Sequence, residues 1–213
     1  MVRKGLRLFV VGGLFSSSLF GNDISPKKII QNVEKRLTSA KTIGVDFQET
    51  YVWKLTGEEQ SLRGVLLLEG ETRFRVTTED QVIVSDGETL WTYSKPSHRV
   101  LVDKLVTSDD TLLPRQILFR YTKDYGVRIM GEEAVSGKPC YVLVFTAETG
   151  DVFIPRVHVW IDKEEWVPRK VEQTDLNENR TIYLIHDVHL GVPLDEKIFQ
   201  FTIPEGAEVI DMK

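Results

Sequence analysis

QVIVSDGETLWTY, residues 81–93, decides the fold. Val82, Ile83 and Val84 lead into Asp86-Gly87-Glu88, and Thr89 to Tyr93 then resumes an apolar and aromatic run. Asp-Gly accepts the positive φ of a tight hairpin loop, so two antiparallel strands meet here. The same pattern repeats outward in both directions. Upstream, Ile43, Val45, Phe47, Tyr51 and Trp53 share one parity against Asp46, Gln48 and Thr50, which is the period of a strand. Leu62–Leu68 and Arg73–Thr77 follow, separated by Glu69-Gly70-Glu71. Downstream, Arg99–Val102, Tyr125–Met130, Cys140–Thr146, Arg156–Ile161, Arg169–Thr174, Thr181–Val188 and Phe199–Thr202 read as further strands. Gly131 to Gly137 and Asp162 to Pro168 read as turns between them. About eleven short strands with tight turns predict an antiparallel sheet, curled or barrel-like.

Two stretches leave this period. Ser25-Pro26 has the form of a helix start, and Ile29, Ile30, Val33 and Leu37 follow at helical spacing. Leu112, Leu113, Gln116, Ile117 and Arg120 fit a short helix, with Pro114 near its start, where a helix tolerates it. Several strands are apolar on both parities: 65–68, 82–84 and 141–145. A sheet with one wet face would alternate, so both faces must be covered. A plain β-sandwich core and a half-open barrel with an apolar cavity satisfy that pattern equally well.

The 213 residues are 41% hydrophobic and 28% charged, a globular balance that excludes a disordered chain. Residues 22–213 read as a single domain. Arg3, Lys4 and Arg7 precede a short apolar run and small residues, the form of a secretory signal peptide, residues 1–21, cut after Gly21. The run is shorter than a typical membrane span. The net charge is −5, and losing three cations with the signal makes the mature chain more acidic. Such a chain has no electrostatic reason to hold nucleic acid or an anionic lipid surface. A soluble periplasmic protein is the simplest reading.

No catalytic constellation is legible. His186 and His189 lie three apart in a strand and point to opposite faces, while His98 and His158 stand alone. No zinc-protease, nucleophile-elbow, phosphate-loop or dinucleotide motif occurs. The single cysteine, Cys140, allows no internal disulfide and reads as a buried inert thiol. The expectation is a binding protein rather than an enzyme, with no metal and no cofactor.

The 81–93 hairpin resembles the central hairpin of the periplasmic outer-membrane lipoprotein carrier (LolA-like) family. Val45-Asp46-Phe47-Gln48 looks like that family's first strand, Phe74-Arg75-Val76 like the strand before the hairpin, and 199–211 like its closing segment. The resemblance covers nearly the whole mature chain. It implies an unclosed antiparallel β-barrel, mainly β, whose helices cover a hydrophobic cavity. It also implies a chaperone that carries lipoproteins by their acyl chains from the inner to the outer membrane. The cargo would come from an inner-membrane lipoprotein-releasing ABC transporter and pass to an outer-membrane receptor where one is present. The carrier would be a monomer. Phe47, Leu66, Phe74, Val84, Trp91 and Tyr93 are the expected cavity residues, and Leu112, Leu113 and Ile117 the expected lid. The family often carries a basic lid-tethering residue before the Phe74 strand; 68–72 holds none, and Arg73 has the wrong offset. A periplasmic lipid- or lipoprotein-sensing regulator of the same fold is the alternative.

Overall fold

The computed structural model describes residues 24–105, 125–149 and 152–213. They form one twelve-stranded sheet preceded by a helix, α1 (Pro26–Thr38). The strands are β1 (Thr42–Val52), β2 (Glu59–Glu69), β3 (Arg73–Thr78), β4 (Gln81–Asp86), β5 (Thr89–Ser94) and β6 (Arg99–Lys104), then β7 (Tyr125–Val135), β8 (Lys138–Ala147), β9 (Arg156–Asp162), β10 (Pro168–Thr174), β11 (Arg180–Leu190) and β12 (Glu208–Asp211). The order across the sheet is β12-β6-β5-β4-β3-β2-β1-β11-β10-β9-β8-β7. Two meanders, β1–β6 and β7–β11, are thus joined by pairing of β1 with β11. The outermost strands, β12 and β7, do not pair with each other, so the barrel is unclosed.

Local chemistry accounts for the elements. The Ser25 side chain accepts the Lys28 N–H at 3.3 Å, and Pro26 opens the helix. Lys35 and Arg36 stand in the last turn, where the helix dipole favours cations. Ile29, Val33 and Leu37 form the buried stripe. In the β4–β5 hairpin Gly87 takes φ 106°, and one Asp86 carboxylate oxygen accepts the Glu88 and Thr89 N–H groups at 2.9 and 2.8 Å.

The α1 stripe packs with Leu68 and Phe74 from one meander and Leu143, Phe145, Val157 and Val159 from the other. A sheet whose distant strands share one cluster beneath a helix must curl, and α1 sits in its concave side. Burying the three helix side chains contributes about 1.5–3 kcal/mol each.

The convex side has its own cover, which accounts for strands apolar on both parities. Cys140, Val142, Val135 and Trp160 make a second cluster behind β8. Glu133 accepts the Trp160 indole N–H at 2.7 Å, and the Lys170 ammonium lies 4.1 Å from that ring's centroid. Behind β3–β5 the cover is the C-terminal segment. Residues 199–202, expected as a strand, instead leave a 3-10 helix (Glu196–Phe199) and pair with no strand. Phe199 is 1% exposed, beneath the Arg73 guanidinium at 4.8 Å, and Arg75 donates to the Ile198 carbonyl at 3.2 Å. Docking side chains on a face displaced pairing at an edge. The closing strand is β12, which pairs parallel to β6.

The expected turn at 131–137 is shorter than its glycines promised. β7 continues to Val135, and the hairpin turns at Ser136-Gly137, both at positive φ. Gly131, at φ 141°, follows a register shift that lets the strand run on. The expected signal peptide and the expected lid residues Leu112, Leu113 and Ile117 lie outside the described residues. No helix among the described residues is long and apolar enough to cross a membrane.

Candidate functional site

Residues directly opposite in a ladder share a face, so the register maps the concave side. Val45 pairs with Leu66, Leu66 with Val76, and Val76 with Ile83. Phe47 pairs with Gly64 on β2 and Ile185 on β11. Burial changes along these strands. Ile43, Leu68 and Phe74 are buried beneath α1, whereas Phe47, Leu62, Leu66, Val76 and Ile83 are half-buried. Among the described residues the concave face is therefore sealed at the helix end and open toward the far end of β1. Gly64 permits this shape: a Cβ there would stand 2.5 Å from the Phe47 ring. The Phe47 ring also meets Tyr183, with centroids 6.5 Å apart. A cleft of about 620 Å³ lies mainly on the convex side, over Asp46, Arg63, Val65 and Thr77, and reaches Phe47 at Gly64.

A second cleft, of about 740 Å³, is lined by Arg156, His158, Glu172 and Arg180 among others. Burial pushes the His158 imidazole below its ordinary pKa, and its Nδ1 has no hydrogen-bond partner among the described residues. Charges of both signs line this cleft, and neither cleft presents a nucleophile with a base beside it. Among the described residues no group of three or more His, Cys, Asp or Glu side chains could hold a metal ion.

The six expected cavity residues divide between the two faces. Phe47, Leu66 and Phe74 share the concave side, with Phe74 5% exposed in the core under α1. Phe74 pairs with Ser85, whereas Val84 pairs with Arg75 and Trp91, and Tyr93 with Val82. Val84, Trp91 and Tyr93 consequently share the convex face. There Trp91 stacks on Phe201 at 6.3 Å. Tyr93 also meets Phe201, and its hydroxyl lies 2.9 Å from His98 Nδ1. Arg73 is on that side too, held by Glu69 at 2.8 Å.

One residue on the concave face escaped the sequence reading. Glu49 belongs to the Ile43–Tyr51 stripe by parity and stands opposite Leu62 on β2 and Tyr183 on β11. Burial raises its carboxyl pKa above the ordinary value. The signal was present in the sequence, as a lone acid in an otherwise apolar and aromatic alternation.

A face of this kind can hold apolar chains. The chain is 24% identical over 209 residues to an outer-membrane lipoprotein carrier protein of Pseudomonas paraeruginosa, covering 95% of this chain and 96% of that one. It is 21% identical over 212 residues to the uncharacterized protein MJ0687 of Methanocaldococcus jannaschii, covering 96% of this chain but only 59% of the relative's length. Among solved structures, an uncharacterized conserved protein of Thermus thermophilus superposes with a TM-score of 0.57 at 14% identity, over 87% of this chain and 98% of that one. The unclosed sheet, its half-open apolar side and a family profile described as outer membrane lipoprotein carrier protein LolA, matching residues 38–202, place this chain in the LolA family.

Proposed function

We propose that the chain is an exported carrier that shelters the acyl chains of lipoproteins on its concave face and moves them from the inner to the outer membrane. The observation that carries this reading is the row of half-buried apolar side chains, Phe47, Leu66, Val76 and Ile83, on the open part of the concave side. A water-exposed groove of that composition is costly unless something apolar fills it. Each acyl methylene it buries contributes about 0.8 kcal/mol, so one or two chains supply strong binding without any polar contact. Residues 1–21 serve as the export signal, and residues 22–213 act as one periplasmic domain, a monomer. Leu112, Leu113 and Ile117, outside the described residues, serve as the lid over the cargo. The cargo arrives from a lipoprotein-releasing ABC transporter and leaves to an outer-membrane receptor. The protein is not an enzyme.

The test is direct. Protein from the periplasmic fraction, purified without detergent, is extracted with organic solvent and the extract analysed by mass spectrometry, alongside the intact mass of the chain. The expected result is a chain cut near Gly21 with acyl-bearing species in the extract, and their loss from Leu66→Asp. An empty extract, with no binding of a fluorescent acyl probe by the same protein, overturns the reading. Co-purification of a membrane-anchored regulator in place of a transporter would assign the same groove to sensing.

A further inference from the structure

The open part of the concave face carries a carboxylate from which the Lys and Arg side chains of its own and both flanking strands are turned away. Glu49 lies on β1, flanked by β2 and β11. β1 contains no Lys, Arg or His. The one cation of β2, Arg63, pairs with Gln48 and so stands on the convex side. On β11, Arg180 pairs with Val52 and His189 with Gly44, both convex. His186 falls at the register shift between Asp46 and Phe47 and is exposed. Around Glu49 the concave neighbours on these strands are Phe47, Tyr51, Leu62 and Tyr183, none of them a cation. No ion pair reaches Glu49 among the described residues, and burial already disfavours its charge. An unpaired carboxylate on an apolar floor is a cost that a bound cation would remove.

We infer that Glu49 is a head-group selector: the groove takes acyl ligands that carry a protonated primary amine close to the apolar chain, and Glu49 accepts its N–H. This rests on the acyl-binding reading above and specifies which acyl molecules it favours. The amine could belong to a lipidated polypeptide's own α-amino group or to an ethanolamine lipid head. The two share the ammonium and differ in the phosphate that accompanies the second.

The test measures competition against a fluorescent acyl probe at neutral pH with three twelve-carbon ligands, dodecylamine, dodecanol and dodecanoate. On the mature wild-type chain the amine should compete about tenfold or more better than the alcohol, and the acid worst. In Glu49→Gln the ratio of amine to alcohol should collapse toward one. A thioether-linked S-hexadecyl cysteine peptide with a free α-amine, against its N-acetylated form and against lysophosphatidylethanolamine, separates the two sources. An amine advantage confined to the free peptide assigns the site to lipidated polypeptide, and one confined to the ethanolamine lipid assigns it to membrane lipid. Equal competition by amine and alcohol on the wild-type chain overturns the selector while leaving the groove an acyl site, and does so whether or not the variant folds. An unaltered ratio in a folded Glu49→Gln overturns it as well. Failure of every ligand, the alcohol included, rejects acyl binding itself and the selector with it.

Discussion

Glu49 and Asp162 are two carboxyls pushed in opposite directions, and their pH signatures should be opposite. Glu49 is raised by burial, so its favourable neutral form is fully present below the ordinary carboxyl range and lost as pH rises through the raised value. Glu49→Gln, which mimics that form, should be more stable than wild type at pH 7 and equal to it below about pH 4. Melting temperatures of the unliganded protein across that range check it. For Asp162, burial opposes the charged form, but the Glu165 and Glu164 N–H groups and the Arg169 guanidinium at 3.0 Å outweigh it and hold the carboxyl below its ordinary value. Its contribution is present above the ordinary aspartate range and falls away as pH drops through the lowered value. Asp162→Ala should cost about 3–5 kcal/mol, because it strands a buried guanidinium. Urea unfolding at pH 7 measures that loss. A cost under 1 kcal/mol would mean that Glu165, 2.8 Å from Arg169, suffices alone.

Between elements, the C-terminal segment is the part whose removal should be felt most. Phe199→Ala empties a closed site beneath Arg73 and should cost about 3–5 kcal/mol, while Phe201→Ala, half-exposed on Trp91 and Tyr93, should cost less. Denaturant titration ranks the two, and Trp91 emission should shift to the red in the second. These contacts also mark what the sequence could disclose. The Asp86-Gly87 hairpin was legible because both of its causes are local: a turn that wants positive φ, and alternation on either side. Ser25-Pro26 disclosed α1 for the same reason. The division of Phe74 from Val84 was not legible. It depends on the β3–β4 register, and a slip of one residue exchanges the faces of every side chain. Trp91 and Tyr93 read as cavity aromatics because the segment that covers them lies more than a hundred positions later. Glu49 could have been read from parity alone. That no cation among the described residues pairs with it could not, since this follows from where β2 and β11 place theirs.

At the scale of the molecule, the sheet is two meanders laid side by side, and protection from exchange should follow position within it. Amides of β1 and β11 should exchange slowest and those of the outer strand β7 faster, as hydrogen–deuterium exchange can resolve by peptide. Uniform protection across the sheet would contradict this. The join between the meanders has a further consequence, in the time domain. Each meander can zip by hairpins between neighbours in sequence, which costs little chain entropy. The β1–β11 pairing cannot. Its outer end is tied by a Thr42 hydroxyl donating to the Val192 carbonyl at 2.6 Å, across 150 positions of chain. Closing so long a loop comes late and slowly, and it needs residues near the C-terminus to have been delivered. Until then there is no concave side, only two half-sheets, each exposing the apolar face the other will help enclose. The groove is accordingly the last thing the protein makes as it folds, and parting β1 from β11 would abolish it before either meander had lost a hairpin.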